Sequence, residues 1–327
     1  KPSRLGLGGM RDDPANTTGG RALSGLDWQA RLAALGAESG AYERLGADHS
    51  ALFTAGGPTL LVTFETRDGI LRDRQDQLPF GLGVARDGDW SHLCLIANRD
   101  TWFRAPEVYA YFDHLTDTAA FDAFDRVVFY GAGMAGYAAA AYSVTAPGAT
   151  VVAIQPQATL DPRLAGWDPR FAEMRRACFT DRFGFAPDMT EGAGRVFVIY
   201  DPEQTLDAMH AALFVRPWTT ILPCPHLGRD IAGALEAMHI LPAMLKAAGA
   251  GDLDGALFRA FYRSRRNYMP YLSNLLARLD RDGRPLLGGV LCRSLAERLN
   301  IGKFRARLAE IETELARGGA ALPAPAR

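Results

Sequence analysis

The chain is short of lysine, of paired cysteines and of excess charge of either sign. Only three of its 327 residues are lysine, so arginine carries nearly all of the basic charge. The formal net charge of −1 argues against a protein whose whole surface binds nucleic acid or a membrane. No Cys-x-x-Cys pair occurs, which is typical of reduced thiols rather than of a disulfide framework or a zinc site. The four cysteines are Cys94, Cys178, Cys224 and Cys292.

Long hydrophobic runs are also missing from the sequence. No apolar run reaches the roughly 18 residues that a membrane-spanning helix needs. The first 20 residues are polar and glycine-rich, unlike a signal peptide. We therefore predict no membrane span and a cytoplasmic location. The hydrophobic fraction of 48% is large enough for a substantial core, in one α/β domain or in one domain with a satellite.

What the sequence does contain is a series of short apolar runs separated by helical ones. We predict strands at residues 59–64, 91–97, 126–130, 150–154, 195–200 and 218–222. Helices are predicted at residues 106–124, 134–145, 169–178, 203–214 and 229–248. Continuous apolar strands that alternate with helices indicate a parallel sheet covered on both faces. Beyond residue 250 the strand signal ends and only helical patterns remain.

The run from Gly131 to Ala135 (Gly-Ala-Gly-Met-Ala) follows a predicted strand and precedes a predicted helix. Small residues in this context are typical of the nucleophile elbow of α/β hydrolases, in which a tight turn exposes the central side chain. Here the central residue is Gly133, so the nucleophile position is empty. The Met134 amide would be one donor to an oxyanion, and a second would come from the end of the strand at 59–64, near Phe64 or Glu65.

The two other members of a hydrolase triad have candidates in the order nucleophile, acid, histidine. Asp201 directly follows the strand at 195–200, and His226 lies four residues past the strand at 218–222. Both positions belong to the carboxyl edge of a parallel sheet, where such folds build their sites. Each residue also has a simpler interpretation. Asp201 can cap the next helix, and His226 can be a hydrogen-bonded loop residue.

The same glycines allow a second interpretation, because Gly131-x-Gly133-x-x-Gly136 matches the phosphate-binding fingerprint of FAD- or NAD-dependent oxidoreductases. That fold needs an acidic residue at the tip of the next strand to hold the ribose hydroxyls. The tip here is Gln155-Pro156-Gln157. We therefore predict no cofactor and no metal, and we keep dinucleotide binding as an alternative.

Six short sequence phrases in residues 42–279 carry a resemblance to a known family. They are Leu60-Leu-Val-Thr-Phe64, Trp90-Ser-His-Leu-Cys94, Val108-Tyr-Ala-Tyr-Phe112, Val127-Val-Phe-Tyr-Gly-Ala-Gly133, Gln155-Pro-Gln-Ala-Thr-Leu-Asp-Pro162 and Tyr200-Asp-Pro-Glu-Gln204. With these phrases the chain resembles a group of alphaproteobacterial α/β-hydrolase-like proteins that lack the elbow nucleophile. The resemblance implies the hydrolase fold without an assigned reaction. Such proteins are sometimes labelled phosphoadenosine phosphosulfate reductases, but the chain has neither the Ser-Gly-Gly-x-Asp-Ser loop nor the Glu-Cys-Gly context of those enzymes.

Residues 256–310 are basic, with 12 arginines and lysines against 4 acidic residues. Aromatic residues are interleaved with the arginines between 258 and 271. Basic helices with aromatics can bind an anionic partner. The simpler interpretation is a solvated helix face whose aromatic stripe packs on the main domain.

Together these patterns predict an α/β fold, a doubly wound and mostly parallel sheet of α/β-hydrolase type with a C-terminal helical extension. The predicted units are a disordered segment at 1–24, the hydrolase-like domain at 25–249, the arginine-rich helices at 250–317 and a disordered tail at 318–327. We expect a degenerate hydrolase that binds a small acyl- or carbonyl-bearing ligand or a glycan, or that acts as a scaffold. The alternative within the hydrolase class is an active hydrolase or acyltransferase that uses His226 and water.

Overall fold

Eight strands form a single sheet in the computed structural model, which describes residues 25–324. The predicted disorder at 1–24 and at the last three residues therefore lies outside the described part of the chain. The strands are β1 Gly40–Leu45, β2 His49–Thr54, β3 Thr59–Thr66, β4 Ser91–Ala97, β5 Arg126–Ala132, β6 Thr150–Ile154, β7 Arg195–Tyr200 and β8 Thr219–Pro223.

The strands lie in the order β1-β2-β4-β3-β5-β6-β7-β8. β2 runs antiparallel to both of its neighbours, and all other adjacent pairs are parallel. The strand order reverses around β3, β4 and β5, so loops diverge at the carboxyl edge of the sheet and leave a crevice there. This topology confirms the predicted α/β-hydrolase-type fold.

Helices cover both faces of the sheet, as a mostly parallel sheet requires. The α-helices are α1 Gly25–Ser39, α2 Arg67–Asp73, α3 Phe80–Gly88, α4 Pro106–Asp117, α5 Met134–Tyr142, α6 Pro162–Ala165, α7 Ala186–Met189, α8 Thr205–Leu213, α9 Ile231–Ala237, α10 Ile240–Ala250, α11 Gly255–Phe261, α12 Met269–Arg281, α13 Pro285–Leu299 and α14 Gly302–Arg317. Short 3₁₀ turns lie at Ala120–Ala123, Ser143–Thr145, Ala172–Arg176 and Tyr262–Asn267.

The residues of each central strand alternate between two cores, one on each face. On β5, Val128 and Tyr130 join the core under α3, α9 and α10, whereas Phe129 joins the core under α4 and α5. Helix α5 is buried from Ala135 to Tyr142, which explains why it is rich in alanine and lacks charge. This burial holds the turn before α5 rigidly at the carboxyl edge.

The C-terminal helices divide between two cores. Phe258 and Tyr262 belong to the core under α9 and α10, with Tyr271 packed against it. Further along, α12, α13 and α14 enclose a separate core that contains Leu276, Phe304 and other apolar residues. The aromatic side chains at 258 and 262 are therefore buried against the sheet rather than available to a partner.

Several predicted helices differ from those in the structure. The predicted helix at 229–248 is two helices, α9 and α10, which are bent by 92° where His239 adopts a left-handed conformation. The predicted helix at 169–178 is only a 3₁₀ turn at Ala172–Arg176, and α8 begins at Thr205 rather than at residue 203. Within residues 25–324, no single helix is long and apolar enough to cross a membrane, although α9 and α10 would meet that test together.

Candidate functional site

The turn between β5 and α5 has the strained conformation of a nucleophile elbow. Gly133 has φ 57° and ψ −122°. Its amide donates to the Ile154 carbonyl at 2.8 Å, and its carbonyl accepts from the Tyr137 amide at 3.0 Å. A Cβ atom placed on Gly133 would meet no heavy atom within 4 Å. The backbone thus keeps open the space into which a nucleophilic side chain would point, and no side chain occupies it.

The neighbouring glycines are required by packing. A Cβ on Gly131 would lie 2.1 Å from the Ala135 carbonyl oxygen. One on Gly136 would lie 3.0 Å from the Ile154 carbonyl oxygen and 3.2 Å from that of Gly131. Both glycines allow the first turn of α5 to lie directly against β5 and β6. The Gly-x-Gly-x-x-Gly spacing therefore has an explanation that needs no nucleotide.

Asp201 lies at the predicted carboxyl edge, but its carboxylate binds backbone amides. One oxygen accepts from the Glu203 amide at 2.9 Å, and the other accepts from the Gly228 amide at 2.7 Å. The residue is only 1% exposed. Asp201 thereby connects the loop after β7 to the loop after β8. Both of its carboxylate oxygens already accept a hydrogen bond from a main-chain amide.

His226 faces a different carboxylate. Its Nδ1 atom lies 3.0 Å from an Oε1 atom of Glu203, although this nitrogen is buried without a well-aligned hydrogen bond. The residue itself has a left-handed φ of 67°. Its carbonyl accepts from the Asn274 side chain at 2.9 Å, and its ring lies beside Tyr271. The structure thus brings His226 together with Glu203 and with helix α12.

The two residues predicted for an oxyanion hole, Met134 and Glu65, belong to the elbow turn and to the neighbouring strand β3. Met134 is the first residue of α5, so its amide has no partner within the helix. Its Sδ atom accepts from the Thr101 amide at 3.2 Å. Glu65 lies within β3, and its carboxylate accepts from the Phe80 and Gly81 amides at 2.8 and 3.0 Å. That side chain therefore caps α3.

A cavity of about 550 Å³, which we call the elbow cavity, opens at Gly133. Neither Asp201 nor His226 is among its lining residues, so the predicted triad members do not share one cavity with the elbow. The lining residues are Gly133, Gln155, Gln157, Arg170, Glu203, Gln204, Thr205, Leu206, Asp207 and Arg229.

Part of the wall of the elbow cavity is held in place by a partly buried network of side-chain ion pairs and hydrogen bonds. Arg170 binds Asp168 at 2.8 Å and Asp207 at 2.6 Å. Gln155 donates to Asp207 at 2.8 Å, and His210 lies 3.0 Å from Asp168. The His210 Nδ1 atom accepts from a backbone amide, so its Nε2 atom carries the proton that Asp168 accepts. No sequence pattern predicts this network, because its members come from two loops and helix α8.

Other residues that line the elbow cavity offer groups that the protein does not use. Among the described residues, the side chains of Gln204, Thr205 and Arg229 have no hydrogen-bond or ion-pair partner. Arg229 is exposed at the rim. Groups of this kind can bind a ligand without first breaking a contact within the protein.

Several loops at the carboxyl edge contain strained backbone. Non-glycine residues with positive φ include Trp102 and Phe103 after β4, Gln155 after β6 and His226 after β8. Such conformations cost about 1–3 kcal/mol each and cluster at functional sites. Of these residues, Gln155 lines the elbow cavity together with Gly133, whereas Trp102, Phe103 and His226 do not.

A larger cleft of about 930 Å³ lies on the other side of the elbow, between α2 and α9. Glu65 lines this cleft, and behind it the buried His92 and Cys94 place potential metal-ligand atoms within 4.8 Å of one another and of Glu65. The Thr63 hydroxyl already bonds to both Glu65 and His92. Burial raises the pKa of the Glu65 carboxyl and of the Cys94 thiol, which favours their neutral forms. This donor set is therefore poorly suited to a cation.

Similar solved structures include esterases and an acyltransferase. Est1E from Butyrivibrio proteoclasticus is 12% identical, with a TM-score of 0.42 over 64% of this chain and 98% of that one. A putative esterase from Staphylococcus aureus is 14% identical, with a TM-score of 0.42 over 65% and 83%. The capsule O-acetyltransferase of Neisseria meningitidis serogroup A is 11% identical, with a TM-score of 0.37 over 60% and 91%. The α/β-hydrolase-type fold of the chain rests on its own strand order, described above.

Similarity at this level carries no argument about the fold or the activity of the chain. No protein-family model and no curated protein matches the chain. The resemblance to an alphaproteobacterial family therefore stays a prediction, and the functional argument depends on the chain's own residues.

Proposed function

We propose that the chain is an α/β-hydrolase-fold protein without a nucleophile, which binds a small ligand non-covalently in the elbow cavity. The observation that carries the proposal is Gly133, which keeps the elbow backbone but provides no attacking atom. Loss of a catalytic serine costs about 10⁶ in kcat, whereas an oxyanion hole and binding alone retain roughly 10³–10⁴ over water. Binding is therefore the function that this geometry supports best.

The chemistry of the cavity favours a polar, oxygen-rich ligand. Its unpartnered groups are an amide, a hydroxyl and a guanidinium, on Gln204, Thr205 and Arg229. The Met134 amide lies next to Gly133 and would donate a hydrogen bond to a carbonyl oxygen, as in an oxyanion hole. These donors suit an acyl- or carbonyl-bearing metabolite or a glycan. The network around Arg170 would keep the cavity in shape before the ligand arrives.

Turnover of p-nitrophenyl acetate and butyrate tests the proposal against its enzymatic alternative. In that alternative, His226, supported by Glu203 at 3.0 Å, activates water directly. We expect wild-type turnover to equal that of a His226→Ala variant and to stay at the background of an unrelated protein. Turnover by the wild type that His226→Ala abolishes would favour the active hydrolase and contradict the proposal.

The dinucleotide alternative lacks support from the residues after β6. The Gln155 side chain is engaged by Asp207 and by the Ile231 amide, and Gln157 accepts from the Trp102 indole. Neither provides the free carboxylate that a ribose needs. We expect NAD, NADP and FAD to leave the melting temperature unchanged, and a clear upward shift with any of them would revive this alternative.

A scaffold that binds an anionic partner through residues 256–310 is the remaining candidate. Five of its arginines bind carboxylates, carbonyls or an amide oxygen within the protein, namely Arg265, Arg278, Arg293, Arg298 and Arg307. Its aromatics between 258 and 271 pack against the core under α9 and α10, and Phe304 is buried among α12, α13 and α14, so an extended stacking surface for nucleic acid has no support. Steeply salt-dependent retention on heparin would favour this candidate.

A further inference from the structure

A second cavity, of about 680 Å³, lies between the loops after β7 and β8 and helix α12. We call it the α12 cavity. Glu203, Gln204 and Thr205 line both this cavity and the elbow cavity, so the segment forms a ridge between the two. On the far side, α12 contributes Arg278 and Arg281. These arginines are three positions apart in a helix and therefore lie on one face of it.

The position of α12 beside this cavity is fixed by direct contacts. The Asn274 side chain donates to the His226 carbonyl at 2.9 Å, and Tyr271 lies against the His226 ring. The guanidinium of Arg278 lies 3.6 Å from Glu203 across the cavity and bonds to Asp282 at 2.6 Å. The walls are therefore connected to each other, and the cavity is not a gap between unrelated surfaces.

The charges around the α12 cavity leave one cation without a counter-charge. The Asp201 carboxylate accepts two backbone amides, and Glu203 faces both His226 and Arg278. Every lining carboxylate thus has a partner. Arg281, by contrast, is exposed at the cavity and has no ion pair or hydrogen bond within the described residues. A bound anion would provide the counter-charge that Arg281 lacks.

We propose that the α12 cavity binds a small anionic ligand through a phosphate or carboxylate group. Arg281 makes the principal contact, since its guanidinium presents paired N–H donors that match either oxyanion. Arg278 contributes from the same helix face. The unpartnered Thr205 hydroxyl on the ridge adds a polar contact. The proposal does not depend on the function of the elbow cavity, because it uses a different set of cations.

Titration of the full chain with inorganic phosphate and with acetate, followed by calorimetry at low ionic strength, tests the proposal. We expect one saturable site for at least one of the two anions. Binding of phosphate identifies a phosphate-bearing ligand, and binding of acetate alone identifies a carboxylate. An Arg281→Gln variant should weaken the binding by about tenfold or more, the effect of losing a charge-assisted pair. Arg281→Lys keeps the charge but not the paired donors, so its affinity for the anion should lie between those of the wild type and Arg281→Gln.

Arg284→Gln is the matched control, since Arg284 is exposed nearby but does not line the cavity. We expect its binding to match that of the wild type. A Gly133→Ala variant should also bind the anion normally, which separates this site from the elbow cavity. Absence of saturable binding of either anion to the wild type would overturn the proposal. Equal losses in Arg281→Gln and Arg284→Gln would do so too, since they indicate diffuse surface charge.

Discussion

Gly133 has the backbone conformation of a nucleophile elbow but carries no side chain. Its φ of 57° and ψ of −122° are a conformation that costs a side chain of L configuration about 1–3 kcal/mol. A nucleophilic residue at this position would be strained by that amount, and its side chain would be exposed at the turn. Glycine adopts the same conformation without strain. The turn persists without a nucleophile because Gly131 and Gly136 pack α5 against the sheet on either side. The shape of the elbow is therefore a property of the scaffold.

A Gly133→Ala variant should measure the backbone cost directly. The added Cβ meets open space, so we expect a loss of about 1–3 kcal/mol in the free energy of unfolding from conformational strain alone. Gly192→Ala is the control, because a Cβ there also meets open space and φ is not positive. We expect the control to change stability by about 0.5 kcal/mol or less. Equal effects in urea titrations of the two variants would contradict the elbow assignment.

The sequence predicts which strand ends Asp201 and His226 follow, but not which groups they contact. Asp201 and His226 were placed at strand ends because a parallel sheet puts those ends at one edge. Their contacts depend on how two loops meet. Asp201 binds the Gly228 amide, and His226 turns toward Glu203 at a left-handed φ. No local pattern predicts that geometry, and the roles of these residues in chemistry stay predictions.

At the scale of elements, each of the six predicted strands is present in the sheet, with bounds that differ by at most two residues. Their apolar runs are continuous because both faces are covered. The hairpin of β1 and β2 was not predicted. β1 is an edge strand whose Glu43 and Arg44 are exposed, so it has neither an apolar run nor a clear alternation. Such a strand is recognisable only from its pairing with β2.

Two phenylalanine variants should separate the cores of the C-terminal helices. Phe304→Ala removes a fully buried ring from the core of α12, α13 and α14, and Phe258→Ala removes one from the core of the sheet. Each change should cost about 3–5 kcal/mol. In hydrogen exchange, we expect Phe304→Ala to lower protection in those three helices and to leave β5 and β6 unchanged. Phe258→Ala should lower protection in the sheet itself. Loss of protection throughout the molecule in both variants would instead indicate one cooperative unit.

For the molecule as a whole, buried histidines link stability to pH. Burial lowers the pKa of His92 to about 3 and that of His49 to about 4, from an ordinary value of 6.5. Burial lowers the pKa of His210 as well. At a pH between the folded and the unfolded pKa of each histidine, the unfolded chain therefore binds a proton that the folded chain does not. These groups therefore stabilise the fold above about pH 6.5, and that stability is lost as the pH falls toward 4.

Thermal unfolding between pH 8 and pH 4 should show this dependence as a melting temperature that falls progressively below about pH 6.5. We expect a His92→Asn variant to be less stable at pH 8 but to show a shallower decline. His114→Asn is the control, since His114 is exposed on α4. A wild-type melting temperature that stays constant from pH 7 to pH 4.5 would contradict the neutral, buried state of these histidines.

The most direct test of non-covalent binding at an empty elbow is the intact mass of the full chain after incubation with a fluorophosphonate probe. Such probes label activated nucleophiles, and the elbow presents none at Gly133. We expect the mass to stay that of the unmodified 35.4 kDa chain under conditions in which a serine esterase is fully labelled. A stoichiometric adduct mapped to a residue lining the elbow cavity would show that an active nucleophile is present and would contradict our conclusion.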